Sequence, residues 1–309
     1  MESDTITYKS NIVVAFVEST GIYFVIGIFN NMSKSNKLNI GLGILSWNDP
    51  EKLKRTLASY KYSGLLNMVL EKKIYFQEVD EKDIEIARKY GLEVYGSKEN
   101  IGIGKGFLEL ASSFESDHIL LLENDWVSLR GEEFIYDHLS KAIGLLNNGI
   151  DCVRMRHKNI YGYPHYSVTR YKGNELDYYD DWIKLSHPHL IDVVHWIEDP
   201  ESRFKGKIEK NEDFFVASSR YANWTNNPCI YKREFYIDVV RDFVGRGIDL
   251  EENISYWWAR SDFRVAQGDG IFCHLDIKKH GIHDGQTLRC LFKVTINEVL
   301  YKLINIVRD

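Results

Sequence analysis

Between Leu38 and Leu122 the chain alternates strand-like and helix-like stretches, and this alternation limits its fold more than any other feature of its 309 residues. Residues 38–45 form a β run that stops at Ser46-Trp47-Asn48-Asp49-Pro50. Pro50 at a first helical position, with Asn48 or Asp49 as cap, starts a helix to about Tyr60. A second strand, 74–79, leads through an Asp80 cap into a helix from Glu81 to Tyr90, which Gly91 ends. Residues 92–95 make a third short strand, followed by a glycine-bearing turn and a helix to about Phe114. The run 118–122 is uninterrupted and apolar, as strands buried in parallel sheets are. Strand and helix in this order mean βαβ units, hence an α/β fold with a mainly parallel sheet flanked by helices. Such sheets take ligands at the carboxyl ends of their strands. The polar stretches at those ends are 46–49, 77–80, 96–105 and 123–125.

The flanks are less regular. Residues 12–17 and 22–29 are apolar runs around a polar Ser-Thr-Gly turn, which predicts an N-terminal β-hairpin. The alternative is a membrane anchor, against which Glu18 stands: a charge at mid-bilayer costs roughly 3 kcal/mol. A polar linker, 30–37, follows. After an expected helix at 132–148 come a strand at 152–155, helices near 234–244 and 251–260, and a strand near 270–274. An amphipathic C-terminal helix, about 287–307, either covers the core or lies on a membrane surface.

The net charge of −6 gives the chain no electrostatic case for binding nucleic acid. The four cysteines, Cys152, Cys229, Cys273 and Cys290, form no CxxC and suggest buried thiols in a reducing, cytoplasmic setting. Glu123-Asn124-Asp125 directly follows the buried strand. Two carboxylates spaced i, i+2 at a strand end can share a divalent cation and a nucleotide ribose, and oxygen ligands suit Mg²⁺ or Mn²⁺. An acidic turn opening a loop is the plain alternative.

Three motifs in order resemble the family 2-like glycosyltransferases. The run from Ile40 through Ser46-Trp47-Asn48 to Leu57 is similar to that family's opening strand, loop and helix. Glu99-Asn100-Ile101-Gly102 resembles its Asn-x-Gly turn, and Leu120-Leu121-Leu122-Glu123-Asn124-Asp125 its DXD strand, with Glu in place of the first Asp. The resemblance implies a GT-A-type fold, a nucleoside-diphosphate-sugar donor and a divalent cation, Mn²⁺ or Mg²⁺. It implies that Ser46, Trp47 and Asn48 open the donor pocket and that Asp125 binds the metal. Glu123 would then hold the ribose, or the metal through water, beside Asn124. Gln77 or Glu78 would contact the base, where the family usually has Asp-Asp. Lys105, behind Asn100, is a phosphate candidate at a helix entry.

Inverting members use a carboxylate base from an acidic pair that starts a helix, and Leu250-Glu251-Glu252-Asn253-Ile254 resembles that helix. Alignment back from Phe263 selects Glu251. Helix geometry agrees, since Glu251, Ile254 and Trp258 share one face and Glu252 is rotated about 100° away. His274, with His280 and His283 in reserve, matches a histidine that supplies a further metal ligand. Trp224 and Trp182 are candidates to stack on the acceptor, or else core residues. The resemblance divides the chain into 1–37, hairpin and linker; 38–128, the nucleotide-sugar-binding half; 129–286, the acceptor-binding and catalytic half; and 287–309, the C-terminal helix. The expected function is transfer of one sugar from a nucleotide donor to a glycan or glycoconjugate hydroxyl, with inversion and a metal. Peripheral membrane contact is allowed through the C-terminal helix. The alternatives are a sugar nucleotidyltransferase and a non-catalytic glycan-binding pseudoglycosyltransferase.

Overall fold

The computed structural model describes residues 37–160, 199–245 and 250–275. The expected N-terminal hairpin, Trp182, His280, His283 and the C-terminal helix lie outside the described residues.

The first half follows the alternation. Strand β1, Leu38–Trp47, ends at the Asp49 cap, whose side chain accepts from the Lys52 amide to start helix α1, Pro50–Tyr62. A short helix α2, Leu65–Met68, precedes β2, Val69–Gln77. Asp80 caps α3, Glu81–Lys89, which leads to β3, Glu93–Gly96. Helix α4, Ile103–Ser113, brings the chain to β4, His118–Glu123. All four strands are parallel, in the spatial order β3-β2-β1-β4. Strand β2 starts five residues before the expected Ile74, because Glu71, Lys72 and Lys73 hide a strand beneath charged letters. Lys73 is buried there, with its ammonium 3.0 Å from Glu71 and donating to the Ser113 carbonyl.

The second half extends the sheet. It contributes β5 (Trp126–Ser128), α5 (Glu132–Asn147), β6 (Cys152–Arg156) and α6 (Pro200–Arg203). It continues with β7 (Ile208–Asn211), β8 (Phe214–Ser218) and β9 (Cys229–Lys232). Helices α7 (Arg233–Arg241) and α8 (Leu250–Trp258) lead to β10 (Arg264–His274). The full order is β3-β2-β1-β4-β9-β6-β10-β8-β7, with β5 paired to β10. Strands β6, β7 and β10 run with the first four, and β5, β8 and β9 run against them. The sheet is therefore mixed but mostly co-directional. Its two faces carry separate apolar layers, one centred on Leu42, Ile44 and Phe272, the other on Phe107, Leu121 and Trp258.

Strand β10 breaks register with β6 between Gln267 and Phe272. Gly270 makes the break possible: at φ 72°, a Cβ there would lie 2.0 Å from the Arg156 carbonyl oxygen. Beyond the break β10 takes β5 as partner, and this carries it to His274. The expectation of four free thiols is corrected: Cys152 and Cys229 are free and buried, but Cys273 is disulfide-bonded. Disulfide formation depends on Cα approach, which isolated cysteines in a sequence do not reveal. No helix among the described residues is long and apolar enough to cross a membrane.

Candidate active site

The carboxyl ends of β1, β2 and β4 meet at one edge of the sheet. Trp47 is in register with Gln77, and Leu45 with Glu123. Ser46 is buried and accepts from the Asn124 amide at 3.1 Å, which ties the ends of β1 and β4 together. Trp47 is 53% exposed, and its indole N–H donates to the Glu78 carboxylate at 2.9 Å. The next residue, Asn48, and Glu78 itself both have positive φ, 48° and 56°. A left-handed backbone costs roughly 1 kcal/mol in a non-glycine residue, so two together mark a rim whose shape is held by its surroundings.

Gln77 faces inward. Its amide donates to the Gly102 carbonyl at 2.9 Å and accepts from the Ile101 amide at 2.8 Å. The side chain is thus engaged in shaping the 100–102 turn, where the Asn100 side chain accepts from Gly102 N–H at 2.8 Å. Lys105 is exposed in the first turn of α4. Of the two base-contact candidates, Glu78 is the one on the open rim.

Asp125 lies between β4 and β5. Its Oδ2 is 3.2 Å from His274 Nε2 and 3.6 Å from Lys52 Nζ, while its Oδ1 is buried with no hydrogen-bond partner. Burial pushes the Asp125 carboxyl up, but His274 and Lys52 outweigh it and hold the group below the ordinary range. Burial drives Glu123 well above its ordinary value, and the charges of Asp125 and Glu251 push it the same way. The His274 ring packs on Trp126 at 4.6 Å, and the Arg156 guanidinium lies 5.1 Å over the Trp126 ring. The first contact orients the imidazole, and the second holds the Trp126 ring it packs on.

Among the described residues no three His, Cys, Asp or Glu side chains form a ready metal cage. The donor set nevertheless fits a divalent cation that keeps open positions. Asp125 offers an unpartnered buried oxygen and His274 an adjacent imidazole, and diphosphate oxygens and water can complete such a shell. An imidazole ligand favours Mn²⁺ over Mg²⁺.

Across the site, Glu251 starts α8 and is part-buried, whereas Glu252 is exposed. Glu251 Oε1 accepts from Thr225 Oγ1 at 2.9 Å and from the Asn226 amide. Leu250, Ile254 and Trp258 anchor the helix in the core. Buried Arg154 donates to Asn223, and buried Arg156 to Asn227, so β6 holds the 223–227 loop that supports Glu251. Trp224, an acceptor-stacking candidate, is instead a core residue: it is 2% exposed, stacked on Tyr231 and Tyr236 and edge-on to Trp258.

Sequence reasoning missed Lys52 and Thr225. Lys52 carries a signal: a lysine three residues after an Asp cap, where a first helical turn favours an acid. Thr225 carries none, since its role depends on a carboxylate 26 positions away.

The sequence matches no protein-family model and no curated protein. Among solved structures it is similar to a Staphylococcus aureus TarS fragment, residues 1–349. The two are 12% identical with a TM-score of 0.49, over 84% of this chain and 65% of the fragment. It is also similar to glucosyl-3-phosphoglycerate synthase from Mycobacterium tuberculosis with Mn²⁺, UDP and glucosyl-3-phosphoglycerate. That pair is 13% identical with a TM-score of 0.42, over 84% of this chain and 79% of the synthase. A mannosyltransferase from Pyrobaculum calidifontis, with GDP-Man and Mn²⁺, is 10% identical with a TM-score of 0.47, over 86% of this chain and 65% of its own. The chain thus spans somewhat under two thirds of the TarS fragment. These are loose likenesses of chain course.

Proposed function

We propose that this chain transfers one sugar from a nucleoside-diphosphate-sugar to a hydroxyl of a glycan or glycoconjugate, with inversion and with a divalent cation. One observation carries the proposal. Asp125 beside His274, and a separately anchored carboxylate, Glu251, lie about Glu123 at the carboxyl end of β4, close enough that both Asp125 and Glu251 raise the Glu123 pKa; sheets of this kind take ligands at such strand ends.

Glu251 is the base. As the acceptor oxygen bonds to the anomeric carbon, its proton passes to the Glu251 carboxylate, and the bond from that carbon to the diphosphate oxygen breaks. The Thr225 hydroxyl and the Asn226 amide hold Glu251 Oε1 and so orient the carboxylate for that step. Asp125 and His274 would hold the cation, which supplies charge neutralisation for the departing diphosphate. Trp47, Asn48 and Glu78 form the rim on which the nucleoside would rest, with Ser46 buried beneath it tying β1 to β4 and the Gln77-anchored 100–102 turn beside it. Glu123, at the end of β4 two residues before Asp125, would meet a ribose hydroxyl, or the cation through water.

The test is a panel of nucleotide sugars, assayed for donor consumption and nucleoside diphosphate release with and without Mn²⁺, each with a mixture of glycan acceptors. Release stimulated by Mn²⁺ and by acceptor is expected for at least one donor. Turnover of nucleoside triphosphate plus sugar phosphate, with none of any nucleotide sugar, would favour a nucleotidyltransferase and overturn the proposal.

A further inference from the structure

Lys52 belongs to no motif of the sequence, yet its ammonium reaches into the acidic edge of the sheet. It lies 3.6 Å from Asp125 Oδ2 and 4.0 Å from Asp49 Oδ2, and its side chain is only 19% exposed. It also stands where local structure disfavours it. The Asp49 side chain accepts from the Lys52 amide, so Lys52 occupies the third helical position of α1, at the positive end of the helix dipole. Its charge is matched across the fold, by a carboxylate from the β4–β5 connection. Asp125 Oδ2 accordingly faces two partners, the Lys52 ammonium and the His274 imidazole, while Oδ1 has none.

On the donor-site reading above, we propose that Lys52 is a diphosphate-binding residue of this site and that its ion pair with Asp125 makes divalent-cation binding depend on the nucleotide. In the ligand-free protein the ammonium opposes a second cation at Asp125 by like-charge repulsion. An arriving diphosphate gives the ammonium an anionic partner. A lysine suits this exchange: it is a compact point charge on a flexible stem and can leave a carboxylate for a phosphate oxygen without backbone movement. The positive end of α1 favours the same anion. Donor and cation therefore bind cooperatively, and the ammonium weakens, without abolishing, the protein's own affinity for the metal.

The proposal gives two effects of opposite sign, measured with Mn²⁺ alone and with inorganic pyrophosphate alone in EDTA, by calorimetry on the full chain. Lys52→Met should bind Mn²⁺ about tenfold or more tightly than wild type and pyrophosphate about tenfold or more weakly, the range of one charge-assisted hydrogen bond. Lys52→Arg should retain pyrophosphate affinity within a few-fold, and a thermal melt confirms that each variant is folded. Asp125→Asn, which should lose Mn²⁺ in both backgrounds, separates the two levels of the argument. If wild type binds both probes, and Mn²⁺ through Asp125, while Lys52→Met leaves both affinities unchanged or moves both the same way, the role of Lys52 is overturned and the donor site stands. If wild type binds neither probe, or binds Mn²⁺ without Asp125, the donor site falls and the role of Lys52 with it.

Discussion

Glu251 and Glu252 are neighbours in sequence, one part-buried and held by Thr225 and Asn226, the other exposed. Glu251→Gln keeps the size and the ability to accept from Thr225 but cannot take up a proton. Turnover should fall by about 10²–10⁴ with donor affinity nearly unchanged. Glu252→Gln removes an acid from the first helical turn and should cost only a few tenths of a kcal/mol of stability and little rate. Single-turnover rates at saturating donor and acceptor distinguish them. An inactive Glu252→Gln would move the base by one residue. At Asp125, substitution by Ala should reduce turnover about 10³-fold or more, and excess EDTA should do the same to wild type. Full activity in EDTA would remove the metal from the mechanism.

At the scale of elements, α4 is locked to the sheet at both ends. At its start, Gly106 lets the helix lie against β1 and β2: a Cβ there would meet Leu45 Cδ1 at 2.7 Å and Gln77 Nε2 at 2.8 Å. Gly106→Ala should cost about 1–3 kcal/mol in chemical denaturation and, by displacing Gln77 from the 100–102 turn, weaken donor binding. At its end, buried Lys73 joins the Ser113 carbonyl to Glu71, and Glu71 accepts from the Ser116 amide. Lys73→Met leaves Glu71 to Ser116 and Glu115 and removes the tie to the Ser113 carbonyl, and should cost about 1–3 kcal/mol, read from the urea midpoint. The elements that sequence made legible are those with strong local signals: β1 and β4 by apolar runs, α1 and α3 by their Asp caps, α8 by its buried face. Short strands such as β7 and β9, at four residues each, are defined by their neighbours instead. Strand β10 looked like a five-residue piece because Gly268 and Gly270 interrupt its pattern, and those glycines are what let it change partners. The site divides in the same way. Asp125, His274 and Glu251 are visible as residue types at element ends. The engagement of Gln77 with a turn, the core packing of Trp224 and the reach of Lys52 each need a partner from a distant segment.

At the scale of the whole molecule, α5 closes one face of the second half through a buried histidine. His138 is stacked between Phe134 and Phe214, at 5.2 and 4.8 Å, and its Nε2 has no hydrogen-bond partner. Burial pushes its pKa from 6.5 down to about 4. The unfolded chain therefore binds a proton that the fold refuses between those values, so stability is complete above pH 6.5 and declines as pH falls towards 4, by about 3 kcal/mol in all. His138→Phe should flatten this dependence, and urea titrations of both proteins at pH 5 and pH 7.5 measure it. An equal loss of stability at pH 5 in the variant would assign the acid sensitivity to other groups. The register break in β10 has a consequence in time. The parallel half of the sheet is made of neighbouring βαβ units, which close short loops and can form while the rest of the chain is still being synthesised. His274 reaches Asp125 only after β10 has threaded between β6 and β8 and crossed to β5. A ribosome-bound chain that stops short of β10 has Trp47, Asn48 and Glu78 at the ends of β1 and β2 but lacks His274. On the proposed function, capture of the cation would therefore follow the docking of β10 into the sheet.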